Sequence, residues 1–151
     1  MIRRIHPIAG AIALITILSF WTGTVSAELL GSPDTIAAAK RAILWGFVIL
    51  IPAMAAAGAT GFRLGGNSRN AVVTVKKQRM PFIAANGLLI LMPSAFYLDH
   101  LAATGNFGTV FFALQGLELI AGAVNIALLS LNMRDGLRLT RRRRTGLPAE
   151  A

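Results

Sequence analysis

Four apolar stretches, residues 5–27, 42–62, 81–101 and 109–131, dominate the chain and leave few options for its fold. Each is close to the roughly twenty residues needed to cross a hydrocarbon core. A segment in hydrocarbon must satisfy its own backbone N–H and C=O groups, so helix is the assignment for all four. The expected fold is all-α: an integral-membrane antiparallel four-helix bundle with short loops. It forms one domain over residues 1–151, with a basic cytoplasmic tail at 134–151. Only 14% of the residues are charged and 55% are apolar, which excludes a water-soluble globule and a disordered chain. There is no cysteine, so disulfides, thiolate metal sites, iron–sulfur clusters and cysteine nucleophiles are excluded together.

Local signals refine the helix ends. Pro7 and Pro81 are expected in first helical turns, where a missing N–H costs nothing. Ser32-Pro33-Asp34 reads as an N-cap, an N1 proline and an acid at the positive end of the helix dipole. The second helix is therefore expected to start near Pro33 and to run through Lys40 and Arg41 before its apolar stretch. Gly31 and Gly105 are the expected stops of the first and third helices. Pro52 and Pro93 are expected to kink the second and third, and Ala53, Ala57 and Gly61 form a small-residue stripe for close helix approach. Trp21, Trp45 and Tyr97 map to one interface as an aromatic belt.

Cations fix the orientation. Of the 15 lysines and arginines, all but Lys40 and Arg41 fall before the first stretch, between the second and third, or after the fourth. Both termini are thus expected in the cytoplasm of a bacterial cell, with the protein in the inner membrane. This asymmetry accounts for the net charge of +9 without nucleic acid. The run Arg141, Arg142, Arg143 and Arg144 is expected to meet anionic lipid headgroups at about 1 kcal/mol per cation. Arg3-Arg4, an apolar run and Val25-Ser26-Ala27 also fit a cleaved signal peptide. The long apolar run, with His6, Trp21 and several hydroxyls, favours a retained span.

Polar residues inside the stretches are the candidate functional groups, because each is costly in hydrocarbon. Gln115, Glu118 and Asn125 fall within a quarter of the fourth helix's circumference. Asn86, Ile90, Pro93, Tyr97 and His100 fall on one face of the third by the same arithmetic. Asn86 and Asn125 are expected at similar depth and in hydrogen-bond contact, an arrangement that commonly serves as interhelical glue. Glu118 is expected near mid-bilayer with no lysine or arginine at its depth. Two roles are open to it: a protonated carboxyl bonded to Gln115, Thr16, Ser19 or a carbonyl, or a proton-relay or ligand-binding group.

His6 and His100 stand at opposite ends of a core about 30 Å thick, which excludes bis-histidine haem within one protomer. His6 could instead ligate a haem b with Met80 or Met133, at the same depth, or pair with a second His6 across a homodimer axis. Gly10 lies one turn beyond His6 and leaves room for a flat macrocycle, with Ala13, Ile17 and Phe20 continuing the face. The sequence carries no phosphate loop, catalytic triad or zinc-protease motif, and the inner loop is too short to fold as a catalytic domain. An enzyme is not expected.

Arg4-Ile5-His6-Pro7-Ile8-Ala9-Gly10, the run Glu118 to Asn125 and Asn132-Met133-Arg134-Asp135-Gly136 resemble small, uncharacterised four-helix membrane proteins of proteobacteria. That resemblance spans most of the chain and implies the fold, with no activity attached. An N-terminal membrane histidine in a short helix bundle also resembles the b-type cytochrome anchors of respiratory complexes. It implies haem b, electron transfer and His6 as axial ligand. The rival expectations are a cofactor-free assembly subunit of a larger membrane complex, and a proton or small-molecule pathway through Glu118.

Overall fold

The computed structural model describes residues 2–66 and 71–145, without the side chains of Arg3 and residues 140–145. The headgroup contacts expected of Arg141 to Arg144 lie outside the described side chains, as does the end of the basic tail. The described residues are helical and contain no strand: α1 (Ile2–Leu30), α2 (Pro33–Gly65), α3 (Ala71–Ala85), a π-helical segment (Asn86–Leu91), α4 (Met92–Ala103) and α5 (Thr109–Thr145). Since α3, the π segment and α4 are continuous, there are four long helical rods. All four are long and apolar enough to cross a membrane.

The helix ends follow local chemistry. Ser32 caps α2, its side chain accepting the Thr35 N–H, and Pro33 opens the helix. Gly105 ends α4 with φ of 69°, a left-handed conformation that glycine adopts without a Cβ penalty. Two expectations need correction. Pro7 and Pro81 lie inside α1 and α3, not in first turns. The helices start earlier, at Ile2 and Ala71.

Many large apolar side chains point outward, and small ones pack where the helices meet. Ile15 and Ile120 are 63% and 68% exposed, whereas Ala13, Ala57 and Ala95 are buried. Small residues on facing helices let the backbones approach, which is how helices gain contact where lipid supplies no hydrophobic drive. The most extensive pairing is α1 on α2, along the expected stripe: Ala53 and Ala57 are buried and the His6 ring rests on Gly61. Further along, the Phe20 ring occupies the space a Cβ on Gly46 would need. One buried cluster joins Leu98, Leu101, Ala102 and Phe111. Another joins Ile17, Ile83 and Leu129, with Met54 and Met80 against it.

The π segment has a local cause. Pro93 has no N–H and its ring would crowd the carbonyl four residues earlier. The turn ahead of it widens, so that Met92 N–H reaches back five residues to Gly87 O, and such widened turns accommodate one extra residue. The extra residue overturns the single face expected for Asn86, Ile90, Pro93, Tyr97 and His100. Asn86 faces α5, but Tyr97 and His100 are exposed while Ser94, Leu98 and Leu101 are buried. The buried face has advanced by one position.

Candidate functional site

The polar residues of α5 form a buried stripe: Gln115, Asn125, Asn132 and Asp135 are all buried, with Glu118 nearly so. Asn86 Nδ2 donates to Asn125 Oδ1 at 2.9 Å and to Ala121 O at 2.8 Å. Asn125 Nδ2 in turn donates to Ile83 O at 3.4 Å. This is the amide contact expected from sequence, and it ties the π segment to α5.

Glu118 has a partner that the sequence reading denied it. Lys40 Nζ donates to Glu118 Oε2 at 2.8 Å, and the lysine side chain is only 1% exposed. Gln115 Nε2 adds a longer bond to the same oxygen at 3.4 Å. The bonds expected from Thr16 and Ser19 are not formed; both hydroxyls donate to carbonyls of their own helix, Ile12 O and Ile15 O. Distance along the helices explains the correction. Lys40 lies about 10 Å from the start of α2 and Glu118 about 14 Å from the start of α5. A lysine stem covers the difference while its methylenes stay in apolar surroundings. Near the end of α1, Glu28 Oε1 is buried with no hydrogen-bond partner among the described residues.

The residues expected at a haem make contacts within the protein. His6 Nδ1 is held by Ala57 O at 3.0 Å and Thr60 Oγ1 at 3.2 Å, so its ring is part of the α1–α2 seam. Along the face beyond it, Ala13 is fully buried, Ile17 packs on Ile83 and Leu129, and a Cβ at Gly10 would meet nothing within 4 Å. Met80 sulfur accepts from Asn132 Nδ2 at 3.5 Å, and Met133 is 38% exposed. Among the described residues no three His, Asp or Glu side chains cluster as metal ligands.

A cavity of about 510 Å³ opens where α2 and the π segment part. Its wall is apolar, with Phe20, Phe47, Met54 and Met80 prominent, and Thr24, Glu118 and Asn125 supply polar groups. Ile51, Phe62 and Leu88 line it and are also exposed on the outside, so its mouth lies on the apolar flank of the molecule. Trp21 closes one wall, its indole N–H donating to Leu119 O at 3.0 Å. That corrects its assignment to an aromatic belt; Trp45 and Tyr97 do face outward.

Four ion pairs among the described residues escaped the sequence reading: Lys40–Glu118, Arg41–Asp99 at 2.8 Å, Arg79–Asp135 at 2.8 Å and Arg134–Asp135 at 3.5 Å. Each carboxylate sits on a helix whose register could have pointed to its partner, had every charge been placed by distance from its own helix start. Compared with protein-family models, curated proteins and solved structures, the chain finds no match.

Proposed function

We propose that this chain is a multi-pass protein of a bacterial inner membrane, with both termini cytoplasmic, that takes a small lipid-soluble molecule from the bilayer into the flank cavity. The helices form an antiparallel bundle, and Glu118 and Asn125 meet the polar end of the guest. The observation that carries this reading is a cavity of about 510 Å³ with a carboxylate and an amide in an otherwise apolar wall. Small-molecule sites span about 300–1,000 Å³ and are typically apolar with a few placed polar groups. The mouth among exposed Ile51, Phe62 and Leu88 suits entry from lipid rather than from water. The apolar exterior and one-sided cations support the membrane placement.

Haem-mediated electron transfer has less support. Neither histidine lines the cavity, and the His6 ring and the Met80 sulfur are engaged with Ala57, Thr60 and Asn132. The assembly-subunit reading accounts for the apolar exterior and for the helix-to-helix bonds of Glu118 and Asn125, but gives the cavity itself no role.

The test uses a Trp45→Phe chain, which leaves Trp21 as sole reporter of the 2 tryptophans. Reconstituted in liposomes, it is titrated with a brominated long-chain alcohol. Saturable quenching is expected, and Gly58→Phe should abolish the saturable part: Gly58 lines the cavity and a Cβ there meets nothing within 4 Å. Linear, unsaturable quenching identical in both chains would overturn the reading.

A further inference from the structure

Hydroxyls inside an apolar helix have a ready partner in their own backbone. Thr16, Ser19, Thr22 and Thr60 each donate to the carbonyl four residues earlier. Thr24 departs from this pattern. It is only 4% exposed, yet its hydroxyl forms no hydrogen bond among the described residues, and the surface it borders is the flank cavity. A hydroxyl kept from water and left unbonded is costly. Glu118 is half engaged in the same place. Its bonds from Lys40 Nζ and Gln115 Nε2 both go to Oε2, and Oε1 takes none among the described residues. The side chain keeps 12% of its surface open and lines the same cavity. Packing sets the two groups at one level. Ile17 clusters with Leu129, and one turn on Trp21 lies against Gly122 and donates to Leu119 O. Each further turn of α1 thus meets an earlier turn of α5, and Thr24 comes level with the turn that holds Glu118.

The two free groups define what belongs between them. Glu118 Oε1 can only accept, whereas the Thr24 hydroxyl can donate. A hydroxyl on the guest satisfies both, donating to Glu118 Oε1 and accepting from Thr24. An ether, ester or ketone has no donor and leaves the carboxylate oxygen unmatched. Charge narrows the choice further. Lys40, 1% exposed, already balances Glu118, so an acidic or a cationic headgroup would bring an unpaired charge into apolar surroundings. Asn125 touches the guest without choosing its chemistry, being 2% exposed and bonded to both Asn86 and Ile83 O. We propose that Thr24 and Glu118 form a headgroup site selecting a lipid-soluble guest that ends in an uncharged hydroxyl. This assignment rests on the flank-cavity reading and adds to it the identity of the polar end.

The test compares two probes on the Trp45→Phe chain in liposomes: a brominated long-chain alcohol and its methyl ether, with bromine at the same carbon. Concentrations are counted as mole fraction of lipid, so that unequal partitioning does not enter. Both should quench Trp21 saturably. The ether should bind at least about tenfold more weakly, because a hydrogen bond to a charged group is lost. Thr24→Val should weaken the alcohol about fivefold, while Thr24→Ser, which keeps the hydroxyl, should hold close to the parent value. Equal affinity for alcohol and ether, an alcohol affinity unchanged by Thr24→Val, or an equal loss in Thr24→Ser would overturn the headgroup site and leave the cavity reading standing. Absence of saturable quenching by either probe would overturn both.

Discussion

Replacing Lys40 by methionine is the sharpest perturbation that the packing allows. The side chain is 1% exposed and its partner 12%, so little solvent is available to take over the charge that remains. Removing one partner of a buried pair costs about 3–5 kcal/mol, and the lower end applies here because Glu118 borders the cavity. About 3 kcal/mol is roughly a hundredfold fall in the ratio of folded to unfolded protein. Glu118→Leu should cost a similar amount by stranding the ammonium. The double variant Lys40→Met/Glu118→Leu should recover most of the loss, since well-packed apolar replacements of buried pairs are often neutral or better. Unfolding by sodium dodecyl sulfate in mixed micelles, followed by tryptophan fluorescence, measures all three. Lys40→Met within about 0.5 kcal/mol of wild type, a change typical of surface sites, would show that the pair is not buried. A double variant no better than the worse single would show that the partners are not coupled.

Asn86→Ala leaves Asn125, only 2% exposed, without its amide donor, and should lower stability by about 0.6–2 kcal/mol in the same assay; an unchanged midpoint would remove the amide contact from the account. Gly46→Ala drives a methyl into the Phe20 ring and should cost about 1–3 kcal/mol through overpacking. The check is the thermal midpoint in detergent, and Phe20→Leu in the same chain should restore part of the loss by vacating that space.

Much of the scaffold was legible because hydrocarbon-length runs and capping residues act locally. Ser32, Pro33 and Gly105 work through backbone chemistry within a few residues, and the structure places them as expected. Asn86 and Asn125 were also legible, because both sit in continuous apolar runs whose ends fix their depth. Lys40 was misjudged since a charge beside polar residues reads as solvent-facing, and only its long stem and the opposing helix draw it inside. The packing of His6 was hidden for a related reason. A lone imidazole with a glycine one turn away describes a ligand slot as well as it describes a ring packed on Gly61, and the choice depends on which helix lies opposite. Tyr97 and His100 were misplaced because a widened turn breaks the 100° step on which face arithmetic relies.

The wide turn at Asn86–Leu91 makes chain length itself a steering control. Deleting one residue there would let the backbone relax to ordinary helix and swing Met92–Ala103 by about 100°, carrying Asp99 away from Arg41 while leaving the Asn86 anchor in place. The distal half of this rod can thus be re-aimed by a single codon gained or lost, independently of the half that precedes it.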